Sequence, residues 1–446
     1  MPRWCQDWVG CVRRHPKGVA AMLAMLTLLG VAGFFGVRHL RASYHYRAAR
    51  ESLEERAFDQ ALSHARACLE LRPGNAAAHL LAARAARGAG QPGLAGEHLE
   101  ACRRLGGRAD RIVLERYLLR AQQGDLAEVE KKLLALVRRH DPDTPLILEV
   151  VTERWLREYR FEEAGPLLAL WRELRPDDPE PIIRQAGLDA NLFRVNEAID
   201  GYRQALEQAP DRDCRENDRV RLCLAELLLR NNQAGPALDH YRVLREHQPQ
   251  NLSVALGLAR CHRTLGQTKE AETLLDGLLA TGTPSGQVLG ERGQLALEAE
   301  QMARAEAWLR QAATLCPFDR EIVHNLHTCL RKAGRKDAAR WAERLAQIRA
   351  DEKRMGKLMK EVMQSPDDAG LRQQIGVVFL RNGMREEGRR WLLSALSRDP
   401  GHVASHQALA RDYEAAGELD HAARHLRALQ QLGVTDKTPV PDKEQP

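Results

Sequence analysis

The feature that most limits what this chain of 446 residues can fold into is one pattern recurring at intervals of 34 residues. Asp218 to Asn251 shows it in full. Its first apolar set, Val220, Leu222, Leu224, Ala225 and Leu228, lies on one face at a helical repeat, and Asn231, Asn232 and Gln233 interrupt it. Gly235 and Pro236 then open a second helix, since proline is tolerated where the first helical N–H groups lack partners. That helix carries Ala237, Leu238, Tyr241 and Leu244 at helical spacing, and Pro249 closes the unit. The stretch therefore reads as one helical hairpin.

Counted back from their closing prolines or equivalents, the units start at 42, 76, 110, 145, 179, 218, 252, 286, 320, 369 and 403. Seven of the ten intervals are 34, and the longer ones of 39 and 49 coincide with extra polar residues near Asp211 to Asn217 and Ala350 to Asp368. A small residue recurs on the first helix (Ala49, Ala83, Ala186, Ala225, Ala259, Gly293, Gly376, Ala410) and on the second (Ala61, Ala95, Ala164, Ala198, Ala237, Ala271, Ala305, Ala339, Ala422). Val129 and Gly388 fill the second-helix place in the other two units. Small residues let two helices approach while larger ones fill the gaps around them. Tyr117, Thr152 and His327 stand where a small first-helix residue is expected, which marks the third, fourth and ninth units as irregular.

The period, with Ala225, Ala237, Tyr241, Leu244 and Pro249 in their places, resembles the tetratricopeptide repeat (TPR). The resemblance covers nearly all of residues 42–432. It implies an all-α chain: a right-handed superhelical solenoid of about eleven TPR hairpins, in which each hairpin buries its apolar face against its neighbours. The expected layout is a first block of about nine repeats over 42–349, a helical linker over 350–368, two repeats over 369–433 and a disordered tail over 434–446.

Composition agrees with a solenoid. The chain is 29% charged but only 5% aromatic, as expected where no large central core exists. Its net charge of +6 is too weak for a dedicated nucleic-acid surface, so nucleic acid is not an expected partner. Nine cysteines form no CxxC pair and read as small buried apolar residues. His402/His406 and His421/His425 each place two imidazoles on one helical face but lack a third ligand, so no metal or other cofactor is expected. No nucleotide loop, nucleophile elbow or metalloprotease motif occurs, and no enzyme activity is expected.

Gly18 to Val37 is a run of 20 uncharged, mostly apolar residues between Lys17 and Arg38. Such a length suits a bilayer core and exceeds a cleavable signal's apolar region. The expectation is a short juxtamembrane segment at 1–17 and a transmembrane signal anchor at 18–38, with Trp4, Trp8, Tyr44 and Tyr46 at the interfaces. The chain would then be a single-pass protein of a bacterial inner membrane, its repeats outside the cytoplasm.

In the family, first helices line a concave groove that holds a peptide or helix. Carrying the groove-facing places over gives Arg50, Arg84, Arg87, Arg260, Arg263, Arg331, Lys332 and Arg411, with Glu149, Glu153 and Glu226 in the middle. Such cations on a rigid surface favour an acidic protein partner, against the bland reading of a solvated arginine-rich face. The resemblance thus implies a membrane-anchored scaffold for protein–protein interactions. The alternative is a non-catalytic accessory subunit of a membrane enzyme or of a secretion or polymer-export system.

Overall fold

The computed structural model describes residues 16–210, 214–280 and 285–434. These form helices and no strand, paired in chain order. The pairs are α1 (Pro16–Glu54) with α2 (Phe58–Leu71), α3 (Ala76–Gly88) with α4 (Pro92–Arg104), and α5 (Ala109–Gln123) with α6 (Leu126–Arg138). Next come α7 (Thr144–Arg157) with α8 (Phe161–Leu174), α9 (Glu180–Asn191) with α10 (Val195–Gln208), α11 (Cys214–Arg230) with α12 (Ala234–His247), and α13 (Leu252–Thr264) with α14 (Thr268–Ala280). The rest are α15 (Gly286–Glu298) with α16 (Met302–Leu315), α17 (Arg320–Lys332) with α18 (Ala338–Gln364), α19 (Ala369–Arg381) with α20 (Arg385–Arg398), and α21 (Val403–Ala415) with α22 (Leu419–Gln431).

Every hairpin turns at the same place. The residue fourteen after each unit start has positive φ: glycine at 90, 124, 266, 334, 383 and 417, but Arg56, Tyr159, Phe193, Asn232 and Glu300 in the other five. A side chain in this left-handed conformation costs about 1–2 kcal/mol, so these five turns are held by the packing on either side of them. Entry to the first helix also recurs. Asn75, Asn251, Asp319 and Asp368 each stand immediately before it and accept a hydrogen bond from a first-turn backbone N–H, worth about 1 kcal/mol apiece.

The small residues sit between paired helices. Ala49, Ala61, Ala225, Ala237 and Ala305 are completely or almost completely buried. Gly376 and Gly388 carry the requirement to its limit, since a Cβ on either would stand 2.9 Å from the other's carbonyl oxygen. The ninth hairpin differs. Ala339 is exposed, and with His327 occupying the small-residue place the second helix packs through Leu345 and Ile348 against Val323 instead. Of the helical linker expected over 350–368, residues 350–364 are helical and continue the second helix of the ninth hairpin as α18, which runs unbroken for 27 residues.

The chain divides into two compact units, one ending at Asp141 and the other beginning at Pro142. In the second unit the chain meets itself far from sequence neighbours. Tyr159, in the turn before α8, and Phe161, its first residue, pack on Trp391 of α20. Arg372 of α19, fully buried, donates from Nη1 to the Tyr159 carbonyl at 3.0 Å and to Ser394 Oγ at 2.6 Å, and from Nε to the Pro366 carbonyl at 2.8 Å. Arg398 completes the seam with two 3.0 Å hydrogen bonds from Nη2 to the Glu163 carboxylate.

The membrane expectation is corrected. Among the described residues no helix is long and apolar enough to cross a membrane, which contradicts a single-pass protein with an anchor at 18–38. The helix holding that run extends for 39 residues, and its later half is a working part of the first hairpin. Tyr46, expected at a membrane interface, packs against the Ala49, Ala61 and Leu62 core, and Arg38 donates to the Leu71 carbonyl at 2.8 Å. Residues 1–15, with Trp4 and Trp8, and 435–446 of the expected tail lie outside the described residues.

Candidate functional site on the first-helix face

The arginines expected to line a groove fall into two groups. Arg84 and Arg87 of α3 reach Glu115 of α5, through Nε–Oε contacts of 2.7 and 3.1 Å. Arg260 and Arg263 of α13 reach Glu291 of α15 in the same way, at 2.7 and 3.0 Å. The two clamps share their spacings of 31 and 28 residues. A further acceptor stands 35 residues beyond the second arginine in each, Gln122 for Arg87 and Glu298 for Arg263. Both carboxylates are almost fully buried. Such a charge is tolerated only when paired and hydrogen-bonded, and here two guanidiniums supply both needs. Burial alone would lower the Arg260 pKa, and the Glu291 carboxylate more than offsets it, leaving the guanidinium above its ordinary value. These four arginines therefore fasten one hairpin to the next.

The remaining residues are placed separately. Arg50 pairs with Glu54 at 3.2 Å on an exposed face. Glu153 pairs with Arg157 and lies 3.8 Å from Arg184, while burial raises the Glu226 pKa against the pull of Arg260 and Arg230. Glu149 is half-buried on α7. Arg331 and Lys332 are exposed in the last turn of α17, and Arg411 is exposed on α21.

Beside the second clamp is a cavity of about 320 Å³, open to solvent, formed by α13, α15, α17 and α18. Arg263, Gln294, Arg320, Glu321, His324, Asn325 and Arg349 line it. Asn325 Nδ2 donates to Gln294 Oε1 at 3.1 Å and ties two successive first helices together. Arg320 lies 3.4 Å from Glu352. Arg349 and His324 are exposed and carry no ion pair among the described residues. Their charge is felt nearby: burial, then Arg331, His324 and Arg349, lower the His327 pKa. Three arginines, Arg263, Arg320 and Arg349, face one carboxylate, Glu321, with the amides of Gln294 and Asn325 beside them, so the arrangement can hold an anion.

The helix-pair period finds its counterpart in comparison with known proteins. The tetratricopeptide repeat family model matches residues 234–290. Those residues carry the tetratricopeptide repeat. A segment of 179 residues, 40% of this chain, is 28% identical to "Cellulose synthase 1 operon protein C" of Komagataeibacter xylinus, and spans only 12% of that relative's length. Similar solved structures include PilW, a type IV pilus biogenesis factor, at 17% identity and a TM-score of 0.37, covering 46% of this chain and 93% of that one. A TPR protein of Parabacteroides merdae is 15% identical, with a TM-score of 0.33 over 65% of this chain and 99% of that one. The Cut9–Hcn1 hetero-tetramer of the APC/C is 14% identical, with a TM-score of 0.34 over 88% and 85%. TM-scores this low carry nothing about function.

Sequence reasoning missed Glu115, Glu291, Arg320, His324 and Arg349. The two glutamates had a signal: each stands at the same place in its repeat, one repeat after an arginine pair three residues apart. Arg349 had none, because it stands on the second helix of the ninth hairpin, while the groove-facing places carried over are all on first helices.

Proposed function

We propose that this protein is an interaction scaffold that docks an acidic segment of a protein partner on its first-helix face, across α13, α15 and α17. The observation that carries this reading is the cavity at Arg263, Arg320 and Arg349, where Arg349 has no ion pair among the described residues and three arginines stand against the single carboxylate of Glu321. TPR units bind protein partners or peptides, and the rigid spacing set by the arginine–glutamate clamps suits an extended or helical guest. Arg331 and Lys332 extend the cationic rim along α17. Titration of a fluorescein-labelled glutamate-rich peptide into the wild type and an Arg320→Glu/Arg349→Glu variant tests it. Binding that weakens with salt and is lost in the variant supports the reading; equal binding by both proteins overturns it.

The 28% identity to a segment of the cellulose synthase operon protein favours a second reading, an accessory subunit of a polymer-export system. Loss of polymer synthesis from cells lacking the protein, restored by adding it back, would select this reading over a general scaffold.

A further inference from the structure

Five of the hairpins carry a side-chain pair across their two helices, one residue near the start of the first helix and its partner nineteen residues later. His45–His64, His79–His98 and His406–His425 bring their Nδ1 atoms to 3.1, 3.1 and 3.0 Å. At the same two places the tenth unit sets the Arg372 guanidinium over the Trp391 ring. The sixth unit has Arg221 and His240, whose pKa is lowered by burial and then by Arg221. The fifth unit, α9 with α10, has Ile182 and Gly201. No side chain crosses there.

Gly201 has two effects. A Cβ in its place would lie 2.9 Å from the Ala186 Cβ, so α9 and α10 pack as closely as their backbones allow. Where other units carry histidine or tryptophan, a cavity of about 750 Å³ remains, lined by α8, α9 and α10. Ala169 and Pro176 provide exposed apolar surface, over a floor of the nearly buried Leu168, Pro181, Ile182 and Ala186. Its lining holds one cation, Arg172, against four carboxylates, Glu173, Asp189, Glu197 and Asp200. Asp189 is engaged by Arg194 at 3.2 Å and by Gln185 at 3.1 Å, and Asp200 lies 3.6 Å from Arg203. Glu173 and Glu197 carry no ion pair among the described residues. At one end Gln208 Nε2 donates to the Pro176 carbonyl at 2.6 Å and bridges α10 to the end of α8.

We propose that this cavity is a socket for an arginine side chain of a protein partner, the stem lying along Ala169 and Pro176 over the Leu168 and Ile182 floor and the guanidinium reaching Glu197 and Asp200. An arginine fits both halves of the lining: its methylene stem covers apolar surface while its planar, weakly hydrated head meets carboxylates. The guest replaces the cross-helix side chain that the fifth hairpin lacks. The socket uses a different face of the first helix from the cationic cavity and the opposite charge, so it does not rest on the acidic-partner reading.

The test uses a fluorescein-labelled heptapeptide with leucines on either side of one arginine, and the same peptide with citrulline, which keeps the shape and removes the charge. Wild-type protein is expected to bind the arginine peptide roughly tenfold or more tightly than the citrulline peptide, a difference of about 1.4 kcal/mol. Glu197→Arg/Asp200→Arg changes two exposed residues and abolishes the preference, and Ala169→Trp, from an exposed place on α8, plugs the socket and weakens both peptides. Arg349→Glu leaves binding unchanged. Thermal melts establish that each variant is folded. Equal affinity for the two peptides, no binding of either to the wild type, or loss on Arg349→Glu overturns the proposal.

Discussion

The ring of Tyr159 lies on that of Trp391, centroids 4.3 Å apart and planes inclined by 14°. Two residues from distant repeats thus share one stack, and Tyr159 holds it from a turn with φ of 55°. Its neighbours at that place in other hairpins are often glycine, so the stack offsets a backbone cost. Trp391→Ala is expected to destabilise the protein by about 3–5 kcal/mol. Tyr159→Gly, which loses the ring but relieves the turn, costs less than Tyr159→Ala by about 1 kcal/mol. Urea unfolding of the three variants checks both the size and the order.

Glu300 occupies the same turn in the eighth hairpin, at φ of 57°, on an exposed surface. Glu300→Gly is expected to stabilise the protein by up to about 1 kcal/mol, read as a higher urea midpoint with an unchanged slope. Lower stability would mean that the side chain does more than tolerate the turn.

Removing a clamp's carboxylate takes one partner from two guanidiniums. Glu291→Ala is expected to cost about 1–3 kcal/mol, because Arg260 and Arg263 lose charge-assisted hydrogen bonds while remaining partly solvated. Glu298→Ala, at the half-exposed outer contact of Arg263, costs under about 1 kcal/mol. Denaturant melts of the two variants separate a fastening carboxylate from a surface one.

The last hairpin sets an acid limit. His425 is held down to about 4 from the ordinary 6.5, by burial and then by His406, His421 and Arg424. Its folded pKa lies below its unfolded value, so between about pH 6.5 and 4 the unfolded chain binds the proton and the folded chain does not. Its contribution is therefore intact above 6.5 and stability falls as pH drops through that window. Thermal melts across the window should show His425→Asn losing part of the wild type's acid sensitivity; identical pH profiles would refute it.

The repeat was legible because a small residue must stand wherever two helices touch, and Ala225 and Ala237 announce that need locally. The ninth hairpin shows the limit: Ala339 has the right identity and register, yet it is exposed, and the first-helix place that should hold a small residue holds His327. The groove arginines were legible as residues but not as partners, since Glu115 and Glu291 lie one repeat further on. The seam had no local signal at all, because nothing in the sequence around Tyr159 refers to Trp391. The apolar run at 18–37 suggested a membrane segment, but the helix that contains it continues into the first hairpin, where Tyr46 and Arg38 make ordinary interior and backbone contacts.

A linear array of repeats tolerates gain or loss of a hairpin, since each member touches only the next. The contact between α8 and α20 removes that freedom from the second unit. Deleting or duplicating one hairpin between Tyr159 and Trp391 would carry the two rings past each other and leave Arg372 and Arg398 without Tyr159 and Glu163. The number of intervening repeats is thus held like the number of links in a clasped bracelet, and single-repeat changes are confined to the chain outside the clasp.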